Sequence, residues 1–350
     1  MSAQPLANTR LGRYVETPAG GEIVRAFVPP PLPPSPEIAL LPLLGRLSAA
    51  ERALGRLDGA AVLLPRQELF LYMYVRKEAV LSSQIEGTQS TLADLLRFET
   101  EAQSGQPIDD IREVSNYVDA MMYGLERLEE FPLSLRLIRE LHARLLQSGR
   151  GEKKDPGEFR RSQNWIGGTR PGNALFVPPP VSELDACLDA FERFIHETES
   201  RLPPLIKAGL LHVQFETIHP FLDGNGRTGR LLVNLLLVRL GYPPAIIFKR
   251  DRSKYLRALA RADNGDPGAL GELMARAVLD NLLRFVVPAV AGPQRLVLLA
   301  SLAGKDLRQE ALRAAIERGR LRAQKGSDGQ WRSTRQWVDE YLESRWRRGQ

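Results

Sequence analysis

His219-Pro-Phe-Leu-Asp-Gly-Asn-Gly-Arg-Thr-Gly-Arg230 lies between two apolar stretches, Pro203–Thr217 and Arg230–Leu240, that both read as helices. Gly224, Gly226 and Gly229 let the backbone take positive φ and approach a ligand closely, so that successive N–H groups turn inward as an anion nest. The helix expected from Arg230 adds the positive end of its dipole. Arg227 and Arg230, three apart, share a face on which two guanidinium groups can grip a polyphosphate. Asp223 offers the hard carboxylate with which Mg2+ is commonly held beside phosphate oxygens. His219 is the one nearby group able to take a proton at neutral pH. Together they suggest nucleotidyl or phosphoryl transfer with a built-in general base. GNGRTGR lacks the spacing and the lysine of a P-loop, and the helical character of LIKAGLLHVQFETI excludes a strand-led dinucleotide site.

The surrounding chain is 350 residues long, enough for two or three domains. Its 43% hydrophobic and 26% charged residues are those of an ordinary globular protein. One cysteine, Cys187, and four histidines exclude a disulfide scaffold, a cysteine-rich metal site and a metal centre built from histidine alone. No apolar run approaches the roughly 20 residues of a membrane helix, and MSAQPLANTR lacks the core of a secretion signal, so the expectation is a cytoplasmic protein with no membrane partner.

Upstream, PPPLPPSP at Pro29–Pro36 blocks helix and central strand, and residues 1–36 read as an extended arm. Helical spacing then runs from Glu37 through ELFLYMYVRKEAVLSSQIEG, which stops at Gly87, and a new helix opens at Thr91 with Asp94 as its capping partner. Further helices are expected over 112–130, 133–147, 181–199, 253–261 and 269–287. RSQNWIG and ALFVP, flanking GTRPGN within 158–180, read as a β-hairpin. His142, His196 and His212 read as structural.

The net charge is +6, and residues 301–350 hold twelve Lys/Arg against seven Asp/Glu. A basic helix, a hairpin around Gly326–Gly329 and a final helix opened by Ser333 or Thr334 suit a winged-helix module over 293–350, for which DNA is a candidate partner. Trp331 and Trp337 could stack bases or form the core of that module.

The twelve residues from His219 to Arg230 resemble the signature of the Fic (Fic/DOC) family, H-x-F-x-[DE]-G-N-G-R-x-x-R, and match it at every fixed position. The resemblance implies a mainly α fold: a helical bundle core over 111–290 with a β-hairpin flap, an N-terminal helical domain over 37–110, and a small winged-helix-like α+β domain. It implies transfer of AMP from ATP, with Mg2+, to Ser, Thr or Tyr hydroxyls of target proteins, with the chain itself as a further candidate acceptor, and release of pyrophosphate. His219 would be the base and Asp223 the metal ligand. Asn225 and Arg227 would stabilise charge on the α-phosphate. Gly224, Gly226, Thr228, Gly229 and Arg230 would complete the ATP site, with Arg230 on the γ-phosphate. Tyr255 and Asp263 stand where the family places adenine contacts, and many relatives carry asparagine at the latter. Trp165, Ile166, Gly167 and Gly168 belong to the flap that registers the target chain by strand addition.

Ser82-Ser-Gln-Ile-Glu86-Gly87 further resembles the inhibitory motif [ST]-x-x-x-E-[GN] of the N-terminal, class II type of this family. Glu86 stands at a helix C-terminus, where the dipole disfavours an acid, so some other group must compensate it. Arg230 is the expected partner, and Ser82 lies on the same helical face as Glu86. The implied protein is auto-inhibited in cis, with homodimers frequent among relatives. Alternatives are a nucleotide-sensing DNA-binding regulator, and a Fic enzyme that removes AMP or transfers another nucleotide.

Overall fold

Helical periodicity governs most of the chain. The computed structural model describes residues 12–33, 40–61, 67–100, 109–197, 202–242, 244–247, 251–263, 276–277, 296–304, 307–326 and 328–346, and it is mainly helical. The chain divides into two compact units, one of residues 1–45 with 71–275 and the other of 46–70 with 276–350.

The first unit holds most of α2 (Gln67–Ile85), then α3 (Leu92–Thr100), α4 (Asp109–Glu130), α5 (Leu135–Leu145), α6 (Val181–His196), α7 (Pro204–Ile218), α8 (Asn225–Arg239) and α9 (Arg252–Asp263). α1 (Leu44–Ala61) falls almost wholly within the second. α7 and α8 are buried nearly all round, with the apolar run Leu231–Leu237 of α8 interrupted only by Asn234, which is the pattern of helices that pack on every side. α8 accordingly lies against α4, α5 and α7, with Leu231, Leu235 and Leu237 fully buried. Local signals set the ends. The Thr91 N–H bonds to the Asp94 carboxylate at 2.9 Å and the Asp94 N–H to Thr91 Oγ1 at 3.2 Å, a capping box, while Ser134 caps α5.

Three expectations are revised. α8 starts at Asn225, not Arg230, with Gly224 at its N-cap (φ 76°). Gly226 and Gly229 are therefore helical, and packing against α7 overrides their poor helix propensity. Residues 1–36 are not simply an extended arm. β1 (Arg13–Ala19) and β2 (Glu22–Val28) form an antiparallel hairpin, Arg13 opposite Val28 and Ala19 opposite Glu22. Its two-residue turn needs positive φ twice, and Gly20 (54°) and Gly21 (83°) supply it. The hairpin expected within 158–180 is reduced to a single bridge, Ile166 to Phe176, around a 3-10 turn at Pro171–Asn173. Beyond it Pro178–Pro180 have no N–H with which to extend the ladder, and Gln163 and Asn164 turn their side-chain amides to the carbonyls of Pro178 and of His219 and Phe221.

In the second unit, β3 (Val297–Leu298), α10 (Leu299–Leu302), α11 (Gln309–Glu317), β4 (Gln324–Lys325), β5 (Trp331–Ser333) and α12 (Arg335–Trp346) build a three-stranded sheet in the order β3-β5-β4 with helices. Leu299, Leu302, Leu312, Ile316, Leu321 and Val338 form its core, and Trp331 and Trp337 pack against that core. Thr334 caps α12, accepting from the Trp337 N–H at 3.0 Å. The helix expected over 269–287 lies outside the described residues except for 276–277. Among the described residues no helix is long and apolar enough to cross a membrane.

Candidate active site

α7 delivers His219 and α8 receives the turn that follows. His219 is the C-cap of α7, held in the left-handed region (φ 49°) and bonded through its N–H to the Phe215 carbonyl at 2.9 Å. A non-glycine residue in that region costs free energy and needs support from its surroundings. That support comes from the segment before the flap. Arg160 donates to the His219 carbonyl from Nε (3.0 Å) and to the Pro220 carbonyl from its backbone, and Asn164 donates to the carbonyls of His219 and Phe221. Asn225 closes the turn by pairing both ends of its amide with the backbone of Phe221, at 2.9 and 2.8 Å. Its side chain, expected on an α-phosphate, is thus already committed to shaping the loop.

His219 Nδ1 stands 3.2 Å from the Glu216 carbonyl, which can only accept, so the proton sits on Nδ1 and Nε2 keeps its lone pair. Burial pushes its pKa down to about 4, partly countered by the bond to Glu216, which leaves a neutral imidazole at pH 7. His142 is fully buried and stacks on Phe221 at 3.6 Å. The Gly157 N–H donates to its Nδ1 (2.8 Å), so Nε2 carries the proton and donates to the Asp223 carbonyl (3.0 Å). Read from sequence as merely structural, His142 holds the backbone on which the Asp223 carboxylate is mounted.

The two arginines sit on one face of α8 but have different partners. Arg227 (2% exposed) donates to Glu113 on α4 at 2.9 Å and lies 4.0 Å from Asp223. Arg230 (4% exposed) donates to Ser82 Oγ at 2.8 Å and to Glu86 at 2.8 Å. The Glu86 carboxylate lies so close to α8 that a Cβ on Gly226 would come within 2.5 Å of it. α8 has no acid in its own first turn, and α2 inserts one there. The dipole penalty at the end of α2 is thereby offset by the N-terminus of another helix. Burial would raise the Glu86 pKa, but the charge and hydrogen bond of Arg230, with Arg227 and Arg150 behind, outweigh it and hold the carboxyl ionised. Two more arginines meet the last carbonyls of α2: Arg252 donates to Ile85 (3.1 Å) and Arg150 to Glu86 (3.3 Å).

Glu113 and Glu78 are additions that the sequence reading did not single out. Glu113 (4% exposed) joins Arg227 to Arg150, the latter at 3.2 Å. Glu78 (2% exposed) lies two turns before Glu86, accepts from Tyr117 Oη at 3.0 Å, and is pushed up to about 8 by burial, so it is mostly protonated at neutral pH. Both occupy the apolar stripes of their helices, Glu113 beside Val114, Tyr117 and Met121, and an acid in such a stripe is the available signal. Tyr255 (2% exposed) meets His212 Nε2 at 2.7 Å. Asp263 ends α9, and its side chain falls outside the described residues. Thr228 and Gly229 are buried between α7 and α8. Trp165 is 37% exposed beside Ile166, with Gly167 and Gly168 following in the left-handed region.

The arrangement suits an anion at the start of α8, because a carboxylate already rests there. It also suits a cation of the Mg2+ type. No cluster of three or more metal-ligating side chains exists among the described residues, and Asp223, 36% exposed beside the cradle while Glu86 and Glu113 are taken up by Arg230 and Arg227, offers a single carboxylate of the kind that accompanies phosphate oxygens and water around such an ion.

Two family models match the chain: Fic/DOC family N-terminal over residues 44–126, and Fic/DOC family over 132–237. The chain is 41% identical over 186 residues to protein adenylyltransferase Fic of Drosophila melanogaster, covering 52% of this chain and 36% of that protein. To the protein of the same name in Drosophila persimilis it is 37% identical over 232 residues, covering 64% and 44%. It therefore spans less than half the length of these curated relatives. Among solved structures, a Fic domain containing signaling protein from Bacteroides thetaiotaomicron is 25% identical with a TM-score of 0.56, covering 68% of this chain and 95% of that one. A Fic family protein from Desulfovibrio desulfuricans shares the fold at 21% identity and a TM-score of 0.56, covering 88% and 98%.

Proposed function

The chain belongs to the Fic/DOC family, and from that premise we propose that it is an auto-inhibited protein adenylyltransferase. The observation that carries the reading is the Glu86 carboxylate lying against Gly226 and Arg230, an anion from α2 in an anion cradle. With Glu86 withdrawn, the backbone N–H groups at the start of α8, with Arg227, face the α-phosphate of ATP, and Arg230 is free for the γ-phosphate. Asp223 would hold Mg2+, whose charge offsets that of the phosphates. A target hydroxyl gives its proton to His219 Nε2 as its oxygen bonds to the α-phosphorus. The bond from that phosphorus to the bridging oxygen breaks, and pyrophosphate leaves. Preorganised donors of this kind usually supply the largest share of catalysis. With Glu86 in place, Arg230 is occupied and the phosphate chain has lost one end of its guide.

Parallel incubations of the Glu86→Gly chain with α-labelled and γ-labelled ATP test the reaction class. Label from the α position, and none from the γ position, is expected on protein hydroxyls as an AMP adduct visible by mass spectrometry. γ-Label on protein would mean phosphoryl transfer instead.

A second reading concerns the other unit. Arg318, Arg320 and Arg322, between α11 and β4, and Lys325 at the end of β4 are all exposed, with no acid among them. We propose that this run contacts duplex DNA phosphates. If all four engage, affinity of the full chain in gel shifts falls roughly 100-fold between 50 and 200 mM salt. Reversing Arg320 and Arg322 to glutamate should abolish the shift, and salt-independent binding would sink the idea.

A further inference from the structure

The β1–β2 hairpin precedes both matched family models, the first of which begins at residue 44, and nothing in the proposed chemistry uses it. Yet it is tied to the flap segment by five contacts. The Phe27 N–H donates to the Val177 carbonyl at 2.9 Å, and Phe27 lies against Phe176 at 6.0 Å between ring centres. Ala19, Val24 and Ala26 share an apolar cluster with Val177, joined by Ala174. Glu22 pairs with Arg170 at 2.5 Å. The Gly20 turn is tucked against the Pro171 ring, which an added Cβ would approach to 3.1 Å.

The hairpin also reaches the helices that carry the site. Arg13 pairs with Glu183 on α6 at 2.7 Å, and Gln214 on α7, five residues before His219, donates to the Pro30 carbonyl just beyond β2 at 2.9 Å. Backbone polarity then decides which side of the flap is open. Phe176 exchanges both its polar groups with Ile166, whereas the Val177 carbonyl points the other way to Phe27. The limb from Ala174 to Val177 thus runs between β2 and Ile166, bonded to both. The limb carrying Trp165 is the outer edge, and an outer edge is what an added strand requires.

We propose that residues 13–28 are a positioning element for the protein acceptor: they brace the flap against α6 and α7, so that an extended target segment can join only at the Trp165–Gly168 limb, in register with His219. The inference rests on the transferase reading. A brace of this sort acts on the protein acceptor and leaves ATP and the nucleophile's base untouched. Water, which needs no strand register, should be indifferent to it.

The test uses the full chain carrying Glu86→Gly, with Glu22→Arg or Val24→Asp added, and α-labelled ATP with the chain itself as acceptor. Label on protein is expected to fall about 10- to 100-fold, the scale of a misplaced reactant, while AMP released to water changes less than about twofold. Hydrogen exchange at the Ile166 and Phe176 amides should quicken in both variants, and Arg170→Glu should restore slow exchange and labelling to Glu22→Arg. Equal loss of label and of released AMP would mean a merely structural role and overturn the proposal. So would unaltered exchange at the two flap amides. Should the Glu86→Gly parent give neither label nor AMP, the transferase reading fails, and the exchange arm still decides whether the hairpin holds the flap.

Discussion

Replacing His219 by alanine in the Glu86→Gly background should lower AMP transfer by about 100- to 10,000-fold with little change in ATP affinity, as expected for loss of a general base. The side chain earns that role by geometry: Nδ1 is tied to the Glu216 carbonyl, so Nε2 is the free acceptor. Because burial holds its pKa near 4, the ring is neutral across the physiological range, and the base is competent above that value and lost as pH falls through it. kcat/KM should accordingly be flat from about pH 8 down to 6, with an acid limb well below the ordinary histidine value near 6.5. Glu86 is one of the charges that raise this pKa, so its removal should move the limb lower still. Unimpaired transfer by the alanine variant would remove His219 from the reaction, and an acid limb near 6.5 would mean that its ring is not held desolvated as it is here. Alanine also sits less easily than histidine at φ 49°, so His219→Asn, which tolerates the left-handed region, is the control that separates lost chemistry from a disturbed loop.

The second large effect has the opposite sign. Glu86→Gly should raise pyrophosphate release roughly 10- to 100-fold, about 1.4–2.7 kcal/mol, and Glu86→Gln should give a smaller rise because it keeps the bulk and loses the charge. The size follows from burial. Arg230 is almost fully enclosed while the Glu86 side chain keeps 33% of its exposure, so the pair is worth more than a surface bridge and less than a fully desolvated one. Arg230 does not lose every partner when Glu86 goes, since Ser82 still accepts from Nε at 2.8 Å. The guanidinium therefore stays aimed at the cradle. Steady-state assays of the two variants beside the unaltered chain decide the matter, and equal rates in all three would end the auto-inhibition reading.

Much of this was legible in the residues themselves, for definite reasons. The apolar stripes of α4 to α6, the Thr91–Asp94 cap and the Thr334 cap are local codes, and the structure follows them. Local pattern puts the start of α8 too late because Gly226 and Gly229 carry turn character, whereas their small size in fact admits the Glu86 carboxylate and the close approach of Phe215 and Glu216. In residues 1–36 the proline run masks the β1–β2 hairpin, although Gly20-Gly21 is a strong turn signal. Glu113 and His142 could not be assigned partners at all. Their contacts with Arg227 and with the Asp223 carbonyl span 114 and 81 positions, and no local period encodes a pairing of that range.

The close fit of Glu86 over Gly226 has a consequence for concentration. Inhibitor and cradle belong to one covalent chain, so their encounter is unimolecular, and its strength is an effective concentration set by how α2 is tethered. On the proposed reading, diluting the protein would leave the silent fraction unchanged, whereas raising the nucleotide would titrate it away, because two anions would contend for one place. The protein would then respond to the abundance of its own phosphate donor along a saturation curve whose midpoint is written into the geometry of a single helix end.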